Sequence, residues 1–119
     1  MSEIKVNSIS GVTYHVEDLA RTGEFYEALG FRRGKEEEDR VTFYVNWFFV
    51  TFVAQEAEAP NKGSGVYLYV KVDDVEDFHQ ALLSNGMKPE GEPQKQPSGN
   101  REFVLRDPDG YNLVFFQKK

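Results

Sequence analysis

Asp107-Pro108-Asp109-Gly110, followed by the apolar run Tyr111-Asn112-Leu113-Val114-Phe115-Phe116, decides the fold class of this chain. Aspartate suits the first position of a β-turn, proline pre-sets φ at the second, and glycine suits the fourth. A tight turn with an apolar strand behind it predicts a hairpin from Arg101–Arg106 to Tyr111–Gln117.

Working outward, that hairpin closes the second half of an internal duplication. Val16-Glu17-Asp18-Leu19 leads through Phe25-Tyr26 to Ala28-Leu29-Gly30-Phe31. Val72-Asp73-Asp74-Val75 leads through Phe78 to Ala81-Leu82-Leu83 and then Asn85-Gly86-Met87. The two patterns are offset by 56 residues, nearly half of the 119-residue chain. Two copies are too few for a solenoid, so they read as two fused supersecondary modules.

Each module begins with a strand, about Ser8–Val16 and again Gly65–Val72. Asp18 and Asp74 then stand as helix N-caps, where a carboxylate accepts from the open N–H groups of the first turn. Leu19, Thr22, Phe25, Tyr26 and Leu29 recur at helical spacing, as do Val75, Phe78, Leu82 and Met87. His79 falls off that stripe and reads as a solvated helix residue. Gly30 and Gly86 sit where a helix C-terminus takes positive φ. Three further strands are expected in each module: Phe31–Glu37, Arg40–Val45 and Phe48–Gln55, then Lys88–Gln94, Arg101–Arg106 and Tyr111–Gln117. Glu56–Gly65 reads as the linker and Pro93–Asn100 as a loop. The order βαβββ-βαβββ is of the α+β class, one domain over 1–119 with modules at about 4–55 and 65–117.

Composition narrows the function. A chain this long can bury a self-sufficient core. Ten Phe and six Tyr exceed what a core needs and leave rings to line a pocket. A net charge of −6 with no basic stripe excludes nucleic acid as an expected partner and is compatible with a cationic ligand. Without cysteine there is no disulfide, thiolate metal site or cysteine nucleophile. Met1-Ser2-Glu3-Ile4-Lys5 lacks an apolar signal core, and no apolar run is long enough to span a bilayer, so no membrane partner and a cytoplasmic location are expected. Phosphate loops, dinucleotide turns and nucleophile elbows are missing from the sequence. Ser98 reads as a turn serine and the acidic run Glu36–Asp39 as a solvated hairpin end.

Val-Glu-Asp-Leu with Phe25-Tyr26 and Leu29-Gly30-Phe31, Val-Asp-Asp-Val, and Asp-Pro-Asp-Gly, in that order and spacing, resemble the vicinal oxygen chelate superfamily. That group holds glyoxalase I, extradiol dioxygenases, fosfomycin-modifying enzymes and bleomycin-resistance proteins. The resemblance covers almost the whole chain. It implies a rolled mixed sheet around a cavity, helices outside, and a homodimer.

Metal-dependent members hold a divalent ion with His or Glu. The resemblance places these ligands seven residues before each capping aspartate and four after the turn glycine. Here those positions are Gly11, Tyr67 and Val114. Glycine and valine bring no donor, and tyrosine is an uncommon ligand for such ions. No metal, no other cofactor and no catalytic residue are therefore expected.

The resemblance, not periodicity, also chooses which strand faces look inward. On those faces lie Thr13 and His15, Tyr67 and Tyr69, Glu102 and Val104, and Val114 and Phe116. Trp47, near a strand tip, is a candidate stacking surface. These nine residues are the expected ligand-binding set. The reading favours a metal-free protein that sequesters a medium-sized organic molecule. The alternative is a metal-dependent lyase, isomerase or dioxygenase with a displaced site on His15, Glu102 or groups of a partner subunit. A third reading makes the sheet a dimer scaffold only.

Overall fold

A computed structural model describes residue 4, residues 9–55 and residues 66–119. The expected linker Glu56–Gly65, Ser8 at the start of the first strand, and most of the N-terminal pentapeptide lie outside the described residues. The chain divides into two compact units, Met1–Glu58 and Ala59–Lys119.

In the first unit β1 (Gly11–Val16) leads to α1 (Leu19–Ala28), then β2 (Arg32–Glu36), β3 (Arg40–Val45) and β4 (Phe48–Ala54). The sheet order is β1-β4-β3-β2, with β1 parallel to β4 and the other pairs antiparallel. In the second unit β5 (Tyr67–Lys71) leads to α2 (Val75–Ser84), then β6 (Gln94–Lys95), β7 (Arg101–Arg106) and β8 (Asn112–Gln117). Its order, β5-β8-β7-β6, repeats the first, again with one parallel pair. The fold is thus α+β, two four-stranded mixed sheets with one helix each. Among the described residues no helix is long and apolar enough to cross a membrane.

Both helices start and stop by the same chemistry. Asp18 accepts from the Arg21 N–H at 3.1 Å and Asp74 from the Asp77 N–H at 3.0 Å. At the far ends Gly30 and Gly86 take φ of 100° and 80°. The Gly30 and Phe31 N–H groups donate to Glu27 and Tyr26, and those of Gly86 and Met87 to Leu83 and Leu82. This paired arrangement satisfies carbonyls that the helix leaves open, and only glycine adopts such a φ without a Cβ penalty.

Each helix packs on one face of its own sheet. Tyr26 is fully buried and meets Phe31, Phe43 and Phe52 at ring distances of 5.1, 6.4 and 4.5 Å. Phe78 meets Phe115 at 4.7 Å and Phe103 at 6.5 Å. Since side chains alternate along a strand, the neighbours of these ring residues lie on the opposite, helix-free face.

Two expectations change. In place of the strand expected over Lys88–Gln94 stands the two-residue β6, Gln94–Lys95, which reaches into the segment Pro93–Asn100 expected as a loop. Pro89 and Pro93 cannot donate to a ladder, and only the Glu90 N–H reaches β7, at the Val104 carbonyl. His79 is buried rather than solvated. Its Nε2 lies 2.9 Å from the Gly91 carbonyl and its ring stands edge-on to Phe103 at 4.9 Å. A carbonyl only accepts, so Nε2 is the protonated nitrogen.

Candidate functional site

Eight of the nine expected residues, all but Trp47, fall on the helix-free faces of their own sheets. In the first unit Thr13 and His15 pair with Thr51 and Val53 of β4, and both are exposed. Trp47 stands 65% exposed at the β3–β4 turn, edge-on to Phe48, after Asn46 with φ of 54°.

In the second unit the remaining candidates form registered rows. Tyr69, Val114 and Val104 are one row, with Tyr69 exposed, Val114 buried as its floor and Val104 half-buried. Phe116, between Lys71 and Glu102, belongs to the next, and its ring meets Tyr69 edge-on at 6.1 Å. Tyr67 pairs with Asn112, which pairs with Arg106. The Arg106 Nε donates to the Asn112 Oδ1 at 3.3 Å, which holds the guanidinium on this face.

A cavity of about 200 Å³ opens beside Glu102 and Val104, lined also by Glu90, Gly91, Glu92 and Gln94. It exists because the chain leaves the β7 edge between two tethers, the Glu90–Val104 hydrogen bond and the Gln94–Glu102 pair. His79 anchors Gly91 from the helix side, so the residue expected to be solvated shapes the wall of this cavity. His15 and Glu102, considered together as a displaced site, belong to different units.

A sequence profile of the Glyoxalase/Bleomycin resistance protein/Dioxygenase superfamily matches residues 8–115, and the chain belongs to that superfamily. No curated protein sequence matches it significantly. Among solved structures, the chain is similar to a bleomycin resistance determinant encoded on the transposon Tn5, at 22% identity and TM-score 0.78 over 95% of this chain and 99% of that one. It is also similar to a glyoxalase family protein from Bacillus anthracis, at 16% identity and TM-score 0.83 over 99% and 100%. A virulence protein from Salmonella typhimurium gives 21% identity and TM-score 0.80 over 98% and 100%. At these identities the likeness is one of fold.

The divalent ion that the superfamily implies does not fit the residues present. Val114 offers no donor atom, and Tyr67 is a 55%-exposed phenol. Gly11 is more than an empty position, because a Cβ there would run into the ring of Phe49. Any ligating side chain at 11 would need the ground that Phe49 covers. Among the described residues, no group of three or more His, Asp or Glu side chains is gathered to hold a metal.

Phe49, Tyr44 and Arg32 share the helix-free face of the first sheet with Thr13 and His15 but are not among the expected residues. Tyr44 lies under the Arg32 guanidinium, 5.0 Å from its ring centre, and over Gly34. A glycine facing an aromatic across a strand pair is the signal, but it becomes visible only once the pairing is known.

Gly11→Ala should therefore destabilise the protein by about 1–3 kcal/mol, the usual range for forcing atoms into occupied space. In a Phe49→Ala background the same change should cost much less. Urea denaturation of the four proteins of this cycle checks it, and strict additivity would show that the ring and the glycine are not coupled.

Proposed function

We propose that this protein binds a medium-sized organic molecule on its helix-free sheet faces and sequesters it without a metal. The observation that carries the reading is the donor set at positions 11, 67 and 114: glycine under a phenylalanine ring, an exposed phenol, and valine. A Lewis-acid site needs several imidazole or carboxylate ligands together. What the faces do offer is large aromatic area with a few polar groups, the composition that suits small-molecule recognition. Tyr67 and Tyr69 are 55% and 59% exposed. The superfamily resemblance adds the homodimer as the proposed working form.

Trp47 is the only tryptophan, so its fluorescence reports cleanly. A panel of planar organic compounds, anionic, neutral and cationic, should include members that quench it saturably, and chelator dialysis should leave that binding unchanged. Stoichiometric divalent metal in protein purified without chelators, with binding lost on its removal, would replace this reading by the metalloenzyme one.

A further inference from the structure

The helix-free face of the first sheet has a feature that net charge hides. Register lines up Arg32, Tyr44, Phe49 and Gly11 as one row across all four strands. Tyr44 and Phe49 are direct partners, yet their rings lean apart, one over Gly34 and the other over Gly11. Both are half-buried, with ring surface left accessible. The next row, about 7 Å along the strands, is Thr42, Thr51 and Thr13. Thr42 Oγ1 and Thr51 Oγ1 share a hydrogen bond of 2.9 Å. The result is a fork of two rings beside a strip of hydroxyls.

A guanidinium stands at one end of the fork. Arg32 spans the Tyr44 ring and donates one long bond, 3.4 Å, to the Asn46 carbonyl. Among the described residues no carboxylate pairs with it, and its remaining N–H groups are available for a planar anion. The positions of β1, β3 and β4 on this face carry no Asp or Glu. Arg40, two rows away, is already tied to Asp39, whose carboxyl is held below its usual value by that hydrogen bond. Screening limits distant charges to roughly 8 Å, so the local guanidinium outweighs the chain's net −6.

We infer that this face selects a planar aromatic anion of the aryl carboxylate class, its ring in the Tyr44–Phe49 fork and its carboxylate on Arg32. The inference rests on the proposed binding function and narrows it to one ligand class, opposite in charge to what composition suggests.

Calorimetric titration of the full chain with 2-naphthoate and with 2-naphthylmethylammonium separates ring from charge. The carboxylate should bind about tenfold tighter or better, the increment of one charge-assisted bidentate contact. Arg32→Gln, at an exposed side chain, should abolish the preference while circular dichroism stays unchanged. Phe49→Leu should weaken both probes and keep the preference. Equal or tighter binding of the ammonium, or a preference that survives Arg32→Gln, overturns the assignment and leaves the binding function standing. Binding of neither probe also overturns it, and the Trp47 panel then judges the binding function by itself.

Discussion

Phe115→Ala should cost about 3–5 kcal/mol of folding stability, the range for deleting a buried phenylalanine ring. Phe115 is fully buried on the helix side of β8, a strand flanked by β5 and β7. Its ring packs against Phe78 of α2 at 4.7 Å and Phe103 of β7 at 5.4 Å. Removing it leaves a void under the helix that neither ring can fill without leaving its own packing. Domains of this kind are stable by about 5–15 kcal/mol in total, so the loss is about a fifth of the reserve or more. Phe115→Leu keeps most of the volume and should cost well under half as much. Urea titration reads both, and a loss below about 1 kcal/mol for the alanine variant would contradict the packing described. The consequence reaches function, because Val114 and Phe116 flank this residue in the chain and stand on the opposite face. If the helix-side packing loosens, the face proposed to bind ligand loses its flat support.

What could be read from the sequence was local chemistry. The caps at Asp18 and Asp74, the left-handed glycines 30 and 86 and the Asp107–Gly110 turn each depend on atoms a few residues apart. Strands β3 and β7 have the bounds that alternation indicated. What could not be read was long-range. His79 is buried because Gly91, twelve positions on, returns to offer its carbonyl, and helical periodicity contains no term for that. The strand expected before β7 did not form over Lys88–Pro93 because Pro89 and Pro93 have no N–H to give a ladder, and only Gln94–Lys95 pair. The Gly11–Phe49 contact depends on a parallel pairing across 38 residues. A net charge is a sum over the chain and carries no information on which sign stands on one face, so the Arg32 guanidinium beside Tyr44 could not be read from it.

Asp107→Ala should cost about 2–4 kcal/mol, from two charge-assisted hydrogen bonds lost at a buried carboxylate and partly recovered by water. Asp107 is 5% exposed, and its Oδ1 accepts from both the Asp109 and Tyr111 N–H groups at 2.9 Å. Its backbone completes the turn, accepting from Gly110 and donating to Tyr111, each at 2.9 Å. Alanine keeps the backbone bonds and orphans the two amides. Asp107→Asn retains an acceptor without the charge and should cost about half as much. The turn does more than join strands, because it sets the register in which Val104 faces Val114 and Leu105 faces Leu113. A slip of one residue would carry Val114 to the helix side and bring a buried ring out onto the helix-free face. Ligand affinity in Asp107→Ala should therefore fall along with the midpoint of unfolding. Equal stabilities for the alanine and asparagine variants would show that the side-chain oxygen is not what holds the turn.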